Sequence, residues 1–475
     1  METGKCGVCQ SEAKHRCTGC KIKFYCSAAH QRDDWPVHKQ TCQSWQVSTS
    51  PELGKHLIAS RDLNPGDLVI AETPLVWGPA RQTERVCVGC GEPGVRVRCP
   101  GCSWYACKVS CDGLVDENRH GVECKVLASL RLLPSYNILM VLRMILVHKK
   151  SHSRWQTLAS LQSHEDDRGP GTEAFEETEA VIHQLQPVID KVLGIDKATV
   201  RKICGLIDVN ALETNPPEGS VAIYQHACLM EHSCLANTTH NFFIDNKGRP
   251  RIIVIAATSI KKGEHISTTY THVLWSTRAR REHLLATKYF ACHCERCKDP
   301  TELKSHLGTL KCTCGSGLVL PRDPLDLETE WFCDSCPGTL TSVEVMQLTE
   351  RLGEEVETAM ASAKESVLTD LLSRLQVLLH PGHQHCIAVA HSLVQLQSSD
   401  NPQKRELCLR ILETTSILDP YGTRLGLYTA VALRELASCP GEDRRLNLER
   451  ATQLLKHEPV GSPGEKFKKL IEIEL

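Results

Sequence analysis

Strong charge of one sign, long apolar runs and aromatic residues are all scarce in this 475-residue sequence. Lys and Arg together number 55 against 57 Asp and Glu, a balance that argues against a nucleic-acid or membrane-surface binder. The longest apolar stretch, Tyr136 to His148, is broken by Arg143 and too short to span a bilayer, and the N-terminus lacks a secretory signal. We therefore expect an intracellular protein with no membrane partner and no direct contact with nucleic acid.

Cysteine is the residue in excess, with 26 copies. In a reducing compartment, regularly spaced cysteine pairs are more typical of zinc sites than of disulfides, which remain the alternative. A two-residue gap aims two thiolates at one ion, and a three-residue gap places two ligands one helical turn apart. The first cluster has eight candidates in such a pattern, which predicts two closed tetrahedral sites: Cys6, Cys9, Cys17, Cys20, Cys26, His30, His38 and Cys42.

A second cluster repeats the first with nearly the same gaps, which indicates an internal duplication. Its members are Cys87, Cys90, Cys99, Cys102, Cys107, Cys111, His120 and Cys124. A third cluster, in ACHCERC, is one ligand short of a structural site and contains Cys292, Cys294 and Cys297. A fourth looks like a small zinc ribbon and contains Cys312, Cys314, Cys333 and Cys336.

The segment LMEHSCLAN, which ends at Asn237, places four chemically active side chains in a row: Glu231, His232, Ser233 and Cys234. By itself this run is compatible with a hydrolase nucleophile or with a metal site. Adjacent side chains rarely hold the hydrogen bond between nucleophile and base that acyl transfer needs, which disfavours the hydrolase.

Secondary-structure signals change along the chain. Apolar alternation from Gly54 to Val76, around an NPGD turn at Asn64 to Asp67, predicts a β-hairpin, and RIIVIAA predicts a further strand. Helical periodicity extends from Lys125 to Ile207 and again from Thr341 to the end. The C-terminal helices suggest a repeat-like array, with a plain helical bundle as the alternative.

Several motifs resemble known families. FYCSAAH and DWPVHKQTC resemble the MYND zinc finger, a protein-interaction module. In chain order, GKHLIASRDLNPGDLVIAE, EHSCLAN, IKKGEHISTTY and RREHLLATKYFACHCERC resemble the first hairpin, the NHSCxPN segment, the GEE…Y segment and the post-SET cysteines of a SET domain. This layout resembles that of the SET and MYND (Smyd-type) lysine methyltransferases, and the extra N-terminal finger is similar to the arthropod SmydA subgroup.

The resemblance implies an α+β fold, in which a β-rich SET core is split by a MYND zinc finger and a helical insert. An extra N-terminal MYND finger and an all-α, helical-repeat-like C-terminal domain complete it. The implied units are the N-terminal MYND finger (1–45), the first part of the SET domain (46–86), the second finger (87–124), the helical insert (125–208), the SET core (209–275), the post-SET zinc segment (276–300), a four-cysteine zinc-ribbon-like segment (301–340) and the helical domain (341–475).

The resemblance also implies site residues. Cys6, Cys9, Cys26 and His30 are expected to share one zinc and Cys17, Cys20, His38 and Cys42 another, and Cys234 completes the third cluster, so that 24 ligands hold six ions. The implied cofactor is S-adenosylmethionine, and Tyr270 is the implied catalytic residue, which orients the substrate amine. The implied cofactor-binding residues are Gly54, Lys55, His56, Asn210, Glu231, His232, Asn237, Tyr270 and Phe290.

Three residues depart from the family pattern. His56 replaces a second glycine, Glu231 replaces the Asn of NHSC, and Lys288 replaces an aromatic that walls the lysine channel. We therefore expect cofactor binding with slow or narrow methylation of a lysine in a histone or non-histone protein, in the regulation of chromatin and gene expression.

The alternative is a catalytically degenerate adaptor or corepressor that recruits protein partners through its fingers and C-terminal helices. We expect a monomer that is present in the nucleus and the cytoplasm.

Overall fold

The computed structural model describes residues 3–17, 23–81, 85–117, 119–130, 135–189, 193–215, 219–245, 248–458 and 461–475. Cys20, a predicted zinc ligand, lies outside these ranges. Small sheets and helices are mixed along the described chain, as the predicted α+β class requires. Among the described residues, no helix has the combination of length and apolar character that spanning a membrane would need.

The strands, in chain order, are β1 (Gly4–Lys5), β2 (Glu12–Ala13), β3 (His15–Arg16), β4 (Phe24–Tyr25), β5 (Trp45–Ser50), β6 (Gly54–Ala59), β7 (Leu68–Glu72), β8 (Val76–Pro79), β9 (Val97–Arg98), β10 (Tyr105–Ala106), β11 (Leu212–Thr214), β12 (Ser220–Ile223), β13 (Glu231–His232), β14 (Thr238–Ile244), β15 (Pro250–Ala256), β16 (Ser267–Thr268), β17 (Leu310–Lys311), β18 (Leu318–Pro321), β19 (Trp331–Cys333) and β20 (Thr339–Leu340). The α-helices are α1 (Ala28–Cys42), α2 (Cys124–Leu130), α3 (Leu139–Lys150), α4 (His152–Ala159), α5 (Glu173–Val188), α6 (Lys197–Asn210), α7 (Thr277–Lys288), α8 (Glu295–Lys298), α9 (Ser342–Ser362), α10 (Glu365–Leu378), α11 (Gln384–Val394), α12 (Pro402–Leu418), α13 (Gly426–Leu436), α14 (Arg444–Leu454) and α15 (Pro463–Glu474).

The N-terminal finger is a small unit with its own core. The strand pairs β1–β2 and β3–β4 precede α1, which begins where the Ser27 hydroxyl accepts a hydrogen bond from the His30 N–H at 3.2 Å. The buried side chains of this finger form a separate cluster made of Cys6, Ala13, Cys17, Tyr25 and Cys42. The finger therefore has a hydrophobic centre that the rest of the chain does not supply.

The β-rich core combines strands that are distant in sequence. Strands β14, β15 and β7 form one antiparallel sheet, β11, β12 and β8 form another, and β13 runs parallel to β16. In β15 every second residue is buried, from Pro250 to Ala256, as expected of a strand with one face on the core. The short β13–β16 pair brings the EHSCLAN segment beside the GEHISTTY segment.

The predicted hairpin from Gly54 to Val76 is wrong in its pairing. Strand β6 pairs with the preceding β5, whereas β7 pairs with β15. The NPGD turn itself is present, because the Asp67 N–H donates to the Asn64 carbonyl at 2.9 Å. The true partner of β6, WQVSTS, is too polar for its sequence to indicate a strand, so the pairing had to come from tertiary structure.

The second finger is built into the main hydrophobic core. Cys87, Cys99 and Cys111 belong to the same buried cluster as the apolar faces of α3 and α6. Arg143 of α3 lies inside this cluster, and its guanidinium donates to the Glu123 carboxylate at 2.8 Å and to the carbonyl of Trp77 at 2.7 Å. A buried cation needs such acceptors, so Arg143 holds the finger, strand β8 and the helical insert together.

The C-terminal part is helical, as predicted. Helix α7 is followed by the four-stranded sheet β17–β18–β19–β20, and each helix from α9 to α15 packs on the next one along the chain. This helical part contacts the SET core directly. The Thr423 hydroxyl donates to the Ala257 carbonyl at 3.2 Å, and the Gln384 side chain accepts from the Ser276 N–H at 2.6 Å.

Candidate functional site

Cysteine and histidine side chains converge in compact clusters whose ligand atoms all lie within 4.8 Å of one another. A tetrahedral zinc with bonds of about 2.3 Å to sulfur holds its sulfurs about 3.8 Å apart, whereas disulfide sulfurs are about 2.05 Å apart. The sulfurs of Cys99 and Cys124 are 3.7 Å apart, those of Cys312 and Cys336 3.6 Å. These sets fit zinc rather than disulfides. The clusters include Cys6, Cys9, Cys26 and His30; Cys87, Cys90, Cys107 and Cys111; Cys99, Cys102, His120 and Cys124; Cys234, Cys292, Cys294 and Cys297; and Cys312, Cys314, Cys333 and Cys336.

The ligands of the N-terminal finger interleave as the resemblance implies. The first set of four comes together, and from the second set the sulfurs of Cys17 and Cys42 lie 3.4 Å apart. His38, predicted to join them, is buried. The fourth predicted member, Cys20, lies outside the described residues.

In the second finger, a carboxylate supports the histidine ligand. His120 Nε2 lies 3.3 Å from the sulfurs of both Cys99 and Cys102, while its Nδ1 lies 3.1 Å from the Glu123 carboxylate. A metal-binding histidine commonly donates its other ring N–H to such a group, which fixes the ring orientation. Since Glu123 also accepts from Arg143, the zinc site and the core share one buried network.

Cys234 completes the third cluster, because its sulfur lies 3.5 Å from that of Cys297 and 3.9 Å from that of Cys292. Fully buried Arg280 donates to the Cys234 sulfur at 3.1 Å and is paired with Glu302 at 2.8 Å. Arg280 and Glu302 were not predicted as part of the site. The segment that contains Arg280, RARREH, has the composition of a solvated helix face and gives no signal of buried charge.

The predicted catalytic residue, Tyr270, lies between two other predicted site residues. Its ring centroid is 5.3 Å from that of His232 and 6.4 Å from that of Phe290, and its hydroxyl donates to the Met230 carbonyl. Burial raises the pKa of Tyr270. The hydroxyl therefore stays protonated and remains a hydrogen-bond donor.

Both ring nitrogens of His232 have partners inside the protein. Nδ1 accepts from the Tyr270 N–H at 3.0 Å, so the ring proton is on Nε2, which lies 3.3 Å from the Cys234 sulfur. Burial lowers the pKa of His232 to about 4, in keeping with a neutral ring. With both nitrogens engaged, His232 is not available as the base of a hydrolase, and only its ring faces and backbone are left for a ligand.

Asn237 and Glu231 both bind the segment that precedes Tyr270. The Asn237 amide donates to the His265 carbonyl at 2.7 Å and accepts from the Ser267 N–H at 2.9 Å. The Glu231 carboxylate lies 2.9 Å from His265 Nδ1. These contacts hold the two motif segments together, so part of the hydrogen-bonding capacity of both side chains is used within the protein.

The predicted residues Gly54 and Asn210 both lie beside Gln162. Gly54 has φ +61°, a conformation that favours glycine, and Lys55 is exposed. Asn210, at the end of α6, donates to the Gln162 carbonyl at 2.7 Å, and a Cβ on Gly54 would lie 3.7 Å from the Gln162 amide. Gln162 therefore joins two predicted residues, although its position beside a polar loop gave no sequence signal for this role.

Lys288, which replaces the aromatic residue of the lysine channel, has its ammonium group bound by backbone carbonyls of the protein. Its ammonium donates to the Val209 carbonyl at 2.7 Å and lies 3.3 Å from the Asp208 carbonyl, at the C-terminal end of α6. Carbonyls at a helix C-terminus attract a cation. Burial also lowers the pKa of Lys288, so the side chain is a weaker electrostatic barrier than its sequence position predicts.

Comparison with known families defines the class. Residues 6–42 match the model of the MYND finger, and residues 54–271 match that of the SET domain. The chain therefore contains a MYND finger and a SET domain, as the motifs predicted.

Individual relatives place it near the SmydA proteins. It is 31% identical over 319 residues to the Drosophila melanogaster SET domain-containing protein SmydA-8, isoform B, a match that covers 62% of this chain and 66%, just under two thirds, of that relative. It is 23% identical to Arabidopsis thaliana histone-lysine N-methyltransferase ASHR1, over 70% of this chain and 74% of the relative. Human N-lysine methyltransferase SMYD2 is 22% identical, over 64% of this chain and 53% of the relative.

Among solved structures, the chain is similar to the SET domain of LSMT bound to lysine and AdoHcy. The TM-score is 0.34 at 14% identity, and the match covers 93% of this chain and 91% of that one.

Proposed function

We propose that the protein is a protein-lysine methyltransferase that uses S-adenosylmethionine. The observation that carries the proposal is the partly buried Tyr270 hydroxyl, which donates to the Met230 carbonyl and lies beside His232 and Phe290 inside the SET match. The names of two relatives, N-lysine methyltransferase SMYD2 and histone-lysine N-methyltransferase ASHR1, support the same activity.

The residues around Gly54 and Tyr270 fit such a cofactor. A Cβ on Gly54 would meet no group closer than the Gln162 amide at 3.7 Å, so the backbone there is open to a ligand. The ring faces of Phe290 and His232 offer apolar contact for the nucleobase of the cofactor. The Glu231 carboxylate offers attraction to a positive charge of the cofactor. S-Adenosylmethionine would supply a methyl group on a cationic sulfur.

The chain's own contribution is to position a neutral lysine amine. The Tyr270 hydroxyl and the Met230 carbonyl, which lie within hydrogen-bonding distance of each other, form a polar point at which an amine can be oriented. The buried surroundings disfavour an ammonium ion, so the lysine reacts in its uncharged form. Orientation and local polarity are the main catalytic effects of this site.

Replacing Tyr270 by phenylalanine is expected to lower the methyl-transfer rate about 100- to 1,000-fold, the usual cost of removing one positioned hydrogen-bonding group from an active site. The rate is measured by mass spectrometry of methylated peptides and proteins from a cell extract. Tyr224→Phe is the matched control, because Tyr224 is also a buried tyrosine whose hydroxyl donates to a backbone carbonyl, that of Pro250, at 3.1 Å. Equal rates in both variants would contradict the role of Tyr270.

We propose slow or narrow methylation of a histone or non-histone protein. The protein would act in gene regulation and be present in both the nucleus and the cytoplasm. Glu231 supports restricted activity, because part of its carboxylate is used by His265. Lys288 weighs less than its sequence position indicated, since its ammonium is bound by carbonyls of α6. The substrate protein and its lysine are what the extract screen is designed to identify.

A second candidate function, that of an adaptor, is favoured by the N-terminal finger. This finger has a core of its own, and α1 exposes Trp35 and Val37, with exposed fractions of 44% and 69%. Exposed apolar side chains on a separate module are typical of a protein-binding surface.

The adaptor function is tested by affinity capture of partners with two variants. Partners bound through this finger are expected to persist with Tyr270→Phe and to be lost with Cys17→Ser, which removes a zinc ligand of the finger. Partners that bind both variants equally would exclude the finger as their binding site.

A further inference from the structure

Two of the three departures from the family pattern lie in one side-chain cluster. His56 replaces the second glycine of the loop and Glu231 replaces the Asn of NHSC, and both contact His265. The rings of His56 and His265 are 4.7 Å apart between centroids, and His265 Nδ1 lies 2.9 Å from the Glu231 carboxylate. His265 is itself the third residue of GEH, where the family motif reads GEE. We call His56, His265 and Glu231 the His-His-Glu cluster.

The cluster extends from the interior to the surface. His56 is 3% exposed, whereas the side chains of Glu231 and His265 are 18% and 47% exposed. The backbone of Ile58 forms a β-bridge with that of His265, and Glu231 is in β13, which pairs with β16 just beyond His265. The three side chains thus connect three separate chain segments that surround the proposed cofactor site.

Hydrogen bonds define the proton positions in this cluster. His56 Nδ1 lies 3.1 Å from the carbonyl oxygen of Gly54, and a carbonyl only accepts, so Nδ1 carries the proton. His265 likewise places its Nδ1 proton toward the Glu231 carboxylate. One end of the cluster therefore holds the Gly54 peptide, which has φ +61°, and the other holds β13.

We infer that the His-His-Glu cluster is a positioning unit that replaces the second glycine of the loop and holds the Gly54 carbonyl and strand β13 in place for the cofactor. The inference rests on the proposed function. The His56 ring lies against the His265 ring and is almost fully buried. Glu231 and His56 then each need the other in order to hold the site in place. The two departures from the family pattern therefore mark a site that has been rebuilt with different side chains and not one that has lost its structure.

The inference is tested by the binding of S-adenosylhomocysteine, measured by calorimetry on the zinc-loaded full chain. A decayed site predicts that His56→Gly, which restores the family residue, strengthens binding. A positioning unit predicts that His56→Gly and Glu231→Gln each weaken binding about 10-fold and that the double variant is little weaker than either, because substitutions within one connected network are not additive. His56→Asn places an amide N–H at the position of Nδ1, so it can still donate to the Gly54 carbonyl and is expected to bind within about threefold of the unsubstituted protein.

A second measurement does not depend on the cofactor. In the zinc-loaded protein without cofactor, 15N spectra of the imidazole rings are expected to show that Nδ1 of His56 carries the proton. Glu231→Gln is expected to shift the His56 signals, although the two side chains are joined only through His265. His183→Gln, on an exposed face of α5, is the control, which should lose only its own ring signals and change neither the His56 signals nor binding.

The outcomes separate the two levels of the proposal. Tighter binding by His56→Gly, or His56 signals that do not respond to Glu231→Gln, would overturn the positioning unit. If the unsubstituted protein does not bind S-adenosylhomocysteine at millimolar concentration, the proposed function fails, and the His56 spectrum still decides whether the three side chains act as one unit.

Discussion

Replacing Cys99 by serine is expected to unfold most of the chain rather than only the finger that contains this residue. Cys99 lies in the main hydrophobic cluster with the buried faces of α3 and α6, and its zinc site is joined to Arg143 through Glu123. A structural zinc site contributes on the order of 10 kcal/mol of apparent folding energy. Whole domains are stable by only about 5–15 kcal/mol. The loss of this site therefore removes most of the stability of the core.

The measurement is thermal unfolding followed by circular dichroism, with zinc content determined on the same samples. The cooperative transition of the unsubstituted protein is expected to be absent in Cys99→Ser at every temperature. Cys17→Ser is the matched control, because the N-terminal finger has its own core and Cys17 is buried there. This variant should lose zinc and keep the main transition. A normal transition in Cys99→Ser would show that the second finger is dispensable for the core.

Local spacing was sufficient to predict most of the zinc sites. A knuckle such as that of Cys312 and Cys314 is determined by a few neighbouring residues, and the duplicated gaps indicated which ligands belong to each finger. Cys234 required more, because its partners are 58 to 63 residues away and only the resemblance connected them. The structure brings all four sulfurs together.

Long-range contacts were the part that the sequence did not reveal. The predicted hairpin paired β6 with β7, whereas β6 pairs with β5 in the structure. The polar segment WQVSTS, which forms β5, carries no strand signal, so its pairing depends on tertiary packing. His265 and Gln162 gave no signal either, since each reaches the site through a contact with a distant residue. The buried ion pairs that Arg280 and Arg296 form with Glu302 were not predicted, because charged residues along a helix usually indicate exposure to solvent.

Replacing Glu302 by glutamine is the second large effect that we expect. Glu302 is almost fully buried, and its carboxylate accepts from Arg280 at 2.8 Å, from Arg296 at 3.1 Å and from the Thr277 N–H at 2.8 Å. Both arginines have side chains with no solvent exposure. Burial by itself raises the pKa of a carboxyl group, but the two guanidinium groups hold the pKa of Glu302 below its ordinary value.

The glutamine side chain has nearly the same shape but no charge, so two buried cations lose their counter-ion. Removing one partner of a buried ion pair costs about 3–5 kcal/mol, and the free energy of unfolding of this region should fall by that amount. Unfolding in urea is followed by the fluorescence of the seven tryptophans, of which Trp275 lies in this region and accepts from Arg296 through its carbonyl. Glu330→Gln is the control, because its ion pair with Arg322 is exposed and worth less than about 1 kcal/mol.

The backbone at Glu302 has a left-handed conformation, in a turn that directly follows the post-SET zinc segment. Glu302, Leu303 and Lys304 have φ values of +52°, +62° and +68°, a left-handed conformation that costs about 1–2 kcal/mol per residue. Asp299 supports the turn by accepting from the Leu303 N–H at 2.9 Å. Such strain persists only where the surrounding contacts outweigh it, and the two arginines add to the hydrogen bonds within the turn, which include that from the Lys304 N–H to the Thr301 hydroxyl at 3.2 Å. If Glu302→Gln were as stable as Glu330→Gln, the hydrogen bonds within the turn would be sufficient to hold it, and Arg280 would reach the Cys234 sulfur without help from its carboxylate partner.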